Sequence, residues 1–365
     1  MDNATLPEIV SDDRALEDFA NGLSGAPVVA LDTEFMRVNT YFPRLCLVQL
    51  HDGSRTVCVD TLAVSSLTPL WDALTSGGHS ALLHSARQDL EAFQVSEGRL
   101  PDRLLDTQVA AGLTGPDDQI SYAQLVENVS GVTLPKSQTR TNWAKRPLSS
   151  KQLQYAADDV IYLPQIMARM RERLDQLGRI EWFAEDCERL LAKELYTPDI
   201  DRAYLRCKTR AKLNDQQRGA LRALCGLRER VAIDRNKPRK WIIDDAGIEG
   251  LATLDAPSPD SVLRVLKTAK AHRGLGIEDV LDTIASAKPT ADHRRGRPSP
   301  EENAAVARVM AEIRERAAEL DISPGVLCAR KEAERLVRGK RDLPVLTGWR
   351  RSVVGDALLN LLDAA

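Results

Sequence analysis

Cysteines are few and unpaired in spacing: six in 365 residues, with no C-x-x-C pair among them. That pattern argues against a zinc cluster or a disulfide framework and predicts reduced thiols in a cytoplasmic protein. Long apolar runs are also missing. Nothing approaches the roughly 18 consecutive apolar residues that a membrane span needs. The opening Met1-Asp2-Asn3-Ala4-Thr5 has neither the basic stretch nor the apolar core of a signal peptide. No G-x-x-x-x-G-K-[ST] phosphate loop occurs, which removes support for a nucleotide-driven helicase role.

What is present is an ordinary globular composition, 43% hydrophobic and 28% charged, with 4% aromatic. The length fits two or three domains, each large enough to bury a core. The net charge of −3 conceals a polarity. Residues 1–200 carry 18 lysines and arginines against 29 acidic residues, whereas residues 201–365 carry 32 against 24. The basic half suits a polyanion, although solvated helix faces account for such charge equally well.

Apolar runs and alternation predict strands over 28–34, 44–50 and 55–59, joined by turn-like residues as a meander. A helical stretch follows at 66–76, then a short strand at 81–84, a helix from 86 to 94 and a strand at 104–105. Helices dominate from there to about 195. A meander followed by β-α-β-α implies a mixed, five-stranded sheet with helices on both faces, an α/β domain whose site should form at strand ends. From about 211 onward only helices are predicted, over 213–231 and 260–287. Trp241-Ile242-Ile243 reads as a short apolar anchor. Residues 288–299 combine proline, glycine and basic residues as a linker would. Ser299-Pro300-Glu301-Glu302 then offers an N-cap, a proline at N1 and a glutamate at N3, the start of another helical module.

Chemistry concentrates in three acidic elements. Asp32 and Glu34 flank Thr33 at the end of the apolar run Val28–Leu31, and residues two apart on a strand project to one side. Two such carboxylates repel unless a cation lies between them, so the pair reads either as a solvated strand end or as half of a divalent-metal site. Asp89 lies in the first turn of a helix that follows a strand directly. That position fits the helix dipole or a return to the sheet's end. Tyr155 and Asp159 share a helix face at i and i+4, and Asp158 lies close enough to that face to leave the two aspartates unresolved. Carboxylates without a nearby Cys or His cluster call for hard cations, Mg²⁺ or Mn²⁺. His84 reads as a structural histidine.

Taken in order, the three elements resemble the DEDD exonucleases. The likeness extends to Phe35-Met36-Arg37, to Tyr41 through Gln49, to Leu105-Asp106-Thr107-Gln108 and to Thr139 through Ser149, all similar to the bacterial ribonuclease D family. Leu224 through Ala232 with Pro238 through Ile243 resemble that family's first HRDC module, and Leu346 through Arg351 with Leu359 and Leu361 its second. The resemblance implies a ribonuclease H-like exonuclease domain over 1–205, an HRDC module over 206–287, a basic linker at 288–298 and an HRDC-like module over 299–365. It assigns Asp32, Glu34, Asp89 and Asp159 as ligands of two divalent cations and Tyr155 as the mark of the tyrosine subclass. Asp32 would bridge both ions, Glu34 and Asp159 would complete the water-holding site, and Asp89 would serve the second ion, largely through water. The implied activity is 3′→5′ exoribonuclease action on RNA with a free single-stranded 3′ end, tRNA precursors included. No membrane and no obligate protein partner is implied. A DNA 3′→5′ exonuclease and a non-catalytic nucleic-acid-binding protein are the alternatives.

An acidic site repels a polyanion, so basic residues elsewhere must hold it. Arg140, Lys145 and Arg146 around Trp143 offer phosphate contacts and a stacking surface, or a basic loop over a core tryptophan. Phe35 either wedges against a terminal base or packs inside. Arg228, Arg230, Arg235, Lys237, Arg239 and Lys240 form the best candidate patch, with Arg294, Arg295 and Arg297 of the linker as additions. Binding of this kind is salt-dependent and largely blind to sequence.

Overall fold

The computed structural model describes residues 6–23, 26–76, 78–135, 141–209, 211–269, 274–291 and 299–363. In chain order the first elements are β1 (Glu8–Val10), α1 (Asp13–Gly22), β2 (Val28–Met36), β3 (Arg44–His51), β4 (Thr56–Val59), α2 (Thr68–Ser76), β5 (Ser80–Leu83), α3 (Arg87–Glu97) and β6 (Leu104–Asp106). Five helices follow: α4 (Thr107–Thr114), α5 (Tyr122–Ser130), α6 (Ser150–Ile161), α7 (Leu163–Gln176) and α8 (Ile180–Leu190). Then come α9 (Asp215–Asp234), α10 (Arg239–Ile242), α11 (Asp245–Ala252), α12 (Pro259–Thr268) and α13 (Ile277–Ala285). The chain ends in α14 (Pro300–Glu319), α15 (Pro324–Leu327), α16 (Arg330–Val337), α17 (Gly348–Arg350) and α18 (Asp356–Asp363). Among the described residues no helix is long and apolar enough to cross a membrane.

The sheet has six strands in the order β1-β4-β3-β2-β5-β6. It is mixed: β3 runs antiparallel to β4, while β1/β4, β2/β5 and β5/β6 are parallel. The expected count of five is therefore corrected. The strand missed is β1, a three-residue edge strand of which only Val10 is buried, too short to show alternation. β2 is interior because Val29, Ala30 and Leu31 leave almost no surface exposed and are covered from both faces. Its pairing with β5 runs from Val28 against Ser80 to Ala30 against Leu82, so Asp32 and Glu34 lie past the paired segment.

The chain divides into two compact units. The first comprises residues 1–36, 45–196 and 298–365, so the last helices group with the sheet. The reason is shared core: Val309, Ile313, Leu336 and Leu358 are buried in the same hydrophobic cluster as Leu31, Leu82 and Leu90. Ser299 opens α14 with the expected capping box, accepting from the Glu302 N–H while the Glu302 carboxylate accepts from the Ser299 N–H. Against α8, the Trp349 ring stacks on Trp182 with centroids 4.3 Å apart, and the Trp349 N–H donates to Glu185 Oε2 at 2.9 Å. Arg350 grips Asp186 through both carboxylate oxygens. Gly348 makes this approach possible: its φ is +51°, and a Cβ there would collide with the Glu185 carboxylate.

The second unit comprises residues 37–44 and 197–297. Its core gathers Leu221, Leu224 and Cys225 of α9 with Ile248 and Leu251 of α11 and Val280 of α13. Residues 37–44, which leave β2 and return into β3, are anchored on the end of α9. Asn236 Oδ1 accepts from the N–H groups of Tyr41 and Phe42, both at 3.0 Å. The Tyr41 hydroxyl donates to the buried Glu229, which Arg206 and Arg239 approach at 3.8 and 3.6 Å.

Truncating the stacked Trp349 to alanine leaves a large void and removes the indole N–H that donates to Asp186, while the backbone N–H to Glu185 remains. We expect Trp349→Ala to lower the unfolding free energy of the first unit by about 3–5 kcal/mol, measured by urea denaturation.

Candidate active site

The end of β2 sets the site. Side-chain alternation turns Asp32 and Glu34 to one side and buries Thr33 on the other. Asp159 arrives from α6, and ligand oxygens of Asp32, Glu34 and Asp159 all lie within 4.8 Å of one another. The Tyr155 hydroxyl, one turn earlier, faces the Asp159 carboxylate, close enough to favour its charged form. Asp158, which spacing alone left open, points elsewhere: its carboxylate accepts from Gln154 Nε2 at 2.8 Å and its carbonyl from the Tyr122 hydroxyl at 2.8 Å. One helical step of about 100° separates the two aspartates, and burial of Ala156, Ala157 and Val160 turns Asp159 inward.

Asp89 stands beside this trio, with one oxygen accepting from the Thr33 hydroxyl at 2.5 Å. Its placement depends on Asp106, a residue whose role the sequence reading did not bring out. The buried Asp106 carboxylate accepts from the N–H groups of Ser85 and Ala86, at 3.0 and 2.8 Å, in the turn that leads into α3. It also caps α4 through Gln108 and Val109. Ser85 sits at φ +58°, a left-handed conformation unfavourable for serine, and this clamp holds it there. An aspartate at a strand end followed at once by a helix was the available signal. His84 hydrogen-bonds to the Thr107 hydroxyl at 2.9 Å and lies against the Tyr122 ring.

Electrostatics in this cluster are those of crowded, desolvated acids. Burial, followed by the charges of Asp159 and Asp89, pushes Glu34 up to about 9. Burial raises Asp89 and Asp159 to about 7. Asp32 lies well above the ordinary carboxylate range, from burial and then from Asp89, Asp159 and Glu34. A divalent cation among these oxygens would reverse each of these effects. A hard, all-oxygen donor set of this spacing fits such an ion.

Several residues expected to meet nucleic acid are occupied inside the fold, and these expectations are corrected. Trp143 is 3% exposed and packs with Cys46, Leu47, Cys58, Leu153 and Ala156. Arg146 directs all five N–H donors inward: Nε and Nη2 to the Asp60 carboxylate at 2.5 and 2.6 Å, and the rest to the carbonyls of Cys46, Trp143 and Lys145. Arg228 is buried and paired with Asp245 at 2.8 Å. Its position four residues after Leu224 put it on the buried stripe of α9, a signal visible in the spacing. Arg239 faces Glu229, and Phe35 is half-buried against the core of the first unit. Lys145, Arg230, Arg235, Lys237 and Lys240 are exposed. Arg140, Arg294, Arg295 and Arg297 lie outside the described residues. Trp241, read as part of an apolar anchor, is 47% exposed beside Lys240, while Ile242 and Ile243 take the buried role.

A family profile described as 3'-5' exonuclease matches residues 7–175. Over the full chain, the Ribonuclease D of Gluconacetobacter diazotrophicus is 34% identical across 366 residues, 98% of this chain and 93% of its own. That of Pseudomonas paraeruginosa is 34% identical across 375 residues, 99% of both. The crystal structure of Escherichia coli RNase D, an exoribonuclease involved in structured RNA processing, matches with a TM-score of 0.86 and 26% identity over 99% of each chain. An acidic cluster at the end of β2, on a sheet with this profile, places the chain among the 3′→5′ exonucleases. The relatives match it from end to end, helical region included. The chain belongs to the ribonuclease D family.

Removing the Asp106 carboxylate orphans the N–H groups of Ser85 and Ala86, so Asp106→Ala should cost about 2–4 kcal/mol of stability in a urea titration. The Asp60–Arg146 pair gives a pH signature. Burial raises the Asp60 carboxyl, but hydrogen bonds from Arg146 and the Leu62 N–H outweigh it and hold the group below the ordinary value. Its stabilisation is complete above the unfolded aspartate value of about 4 and is lost as pH falls through the folded one. Asp60→Asn should therefore flatten the acid limb of stability below about pH 4, read from urea midpoints against pH.

Proposed function

We propose that this chain is a cytoplasmic, metal-dependent 3′→5′ exoribonuclease releasing nucleoside 5′-monophosphates from single-stranded 3′ ends of tRNA precursors and other small structured RNAs. The observation that carries this reading is the convergence of Asp32, Glu34 and Asp159 within 4.8 Å, with Asp89 and Tyr155 alongside, in a chain of the ribonuclease D family. When bound, two divalent cations, Mg²⁺ or Mn²⁺, supply the charge stabilisation of an in-line phosphoryl displacement. Asp32, Glu34 and Asp159 would hold one, and Asp32 with Asp89 the other. Tyr155, beside Asp159, orients the attacking water towards the last phosphodiester. The P–O3′ bond to the penultimate nucleotide breaks, leaving a 3′ hydroxyl on the shortened chain and a 5′-phosphate on the released nucleotide.

We assign 206–287 and 299–365 as HRDC-type modules joined by the basic segment 288–298. The helical content of both stretches and the end-to-end match to the E. coli enzyme support this assignment. Exposed Arg230, Arg235, Lys237 and Lys240 supply phosphate contacts, and the exposed Trp241 a face on which a base stacks.

One assay with matched RNA and DNA substrates bearing graded 3′ overhangs checks polarity and sugar choice together. Mononucleotides should accumulate from RNA in Mg²⁺ or Mn²⁺; internal cuts, or turnover persisting in chelator, would overturn the reading. Preference for DNA would favour the repair-type alternative. Asp32→Asn should abolish turnover with RNA affinity nearly intact. Trp241→Ala should weaken RNA binding by about 1–3 kcal/mol, measured by fluorescence anisotropy at fixed salt.

A further inference from the structure

Trp143 touches both halves of the acidic site. Its ring packs on Leu153 and Ala156 of α6, the helix that carries Tyr155 and Asp159, and lies 6.1 Å from the Tyr155 ring. Its indole N–H, which can only donate, faces the Glu34 carboxylate on β2, close enough to favour its charged form. The segment around it is tightly tied. Arg146 Nη1 donates to the Trp143 carbonyl at 2.7 Å while the same guanidinium grips Asp60 and the Cys46 carbonyl. The Ala144 N–H closes on Asn142 Oδ1 at 3.0 Å.

We propose that Trp143 is a positioning residue of the candidate metal site: its indole N–H holds the Glu34 carboxylate towards Asp32 and Asp159, and the Arg146–Asp60 clasp holds Trp143. The inference rests on the metal-dependent reading above. The physical need is clear from the charges. Three neighbouring acids repel Glu34, and a glutamate has enough rotatable bonds to swing away from them. A lysine or arginine tether would prevent that, but would also place a positive charge where the cation belongs. A neutral N–H orients the carboxylate without competing for the site, as partners beyond the ligands do in metal centres generally. The Arg146 guanidinium acts one step further out, anchoring the donor's backbone.

The test is Mn²⁺ binding to the full chain, titrated by electron paramagnetic resonance, with a thermal melt of each variant. Trp143→Phe keeps an aromatic ring of smaller size and removes the N–H; it should weaken Mn²⁺ binding about tenfold with the melting transition retained. In a Glu34→Ala background, where no carboxylate remains to orient, the same substitution should change the residual affinity less than twofold. Unchanged affinity in Trp143→Phe, or an equal loss in both backgrounds, overturns the positioning role and leaves the metal reading standing. Mn²⁺ binding untouched by both Asp32→Asn and Glu34→Ala overturns the metal reading itself. If Trp143→Phe loses its cooperative melt, the indole N–H resonances of the unsubstituted chain decide. One of the five tryptophans must shift on Glu34→Ala, and a spectrum with none shifted overturns the proposal.

Discussion

Mutual repulsion among Asp32, Glu34, Asp89 and Asp159 is the constraint around which the first unit is organised. Two unit charges about 4 Å apart interact by about 4 kcal/mol at an effective dielectric of 20. A few such pairs rival the roughly 5–15 kcal/mol by which a whole domain is stable. The acids therefore need independent anchors, each strong enough to resist the others. Asp32 and Glu34 ride on an interior strand whose preceding residues are fully covered. Asp89 rides on a helix whose entry turn is clamped by Asp106. Asp159 rides on a helix opened by the Ser149–Gln152 capping box and steadied by Tyr155. With the anchors fixed, the acids have two ways to relieve their repulsion: take up protons, as their raised pKa values register, or take up a cation.

Arginine divides between two uses. Arg146, Arg179, Arg228 and Arg350 turn inward and satisfy backbone carbonyls or carboxylates that the fold would otherwise strand. Planar five-donor geometry suits that task, because one side chain can serve several acceptors. A count of basic residues cannot separate these from the exposed cations of the second unit. Two of the four, Arg228 and Arg350, fall in residues 201–365, so the charge of that half overstates the surface available to a polyanion.

Much of the first unit was legible because its strands are apolar runs with turn residues between them, and β2 through β6 lie close to where periodicity put them. β1 escaped because three residues on an edge carry no period. The acids were legible as elements but not as partners: nothing in the spacing distinguishes Asp158 from Asp159 until neighbouring small residues decide which face is buried. The positions of Trp143 and Arg146 were illegible for a different reason. Arg146 reaches across 86 and 100 residues, to Asp60 and Cys46, and Trp143 packs on Cys46 and Cys58, and local pattern carries no information at that range.

Chain order adds a last constraint on how this protein can be divided. The eight residues that follow β2 belong to the second unit, where Asn236 accepts two of their N–H groups and Glu229 takes the Tyr41 hydroxyl. A cut before residue 197 would strip those partners from a segment that starts two residues after Phe35. A cut before residue 298 would instead uncover the part of the first unit's core that Val309, Ile313 and Leu358 fill. Neither the middle helices nor the last ones form a tail that can be removed cleanly. Function of the helical half is better probed by surface substitutions that leave Asn236, Glu229 and Trp349 in place than by truncation, because truncation takes the partners of residues 37–44, or part of the first unit's core, along with the surface it removes.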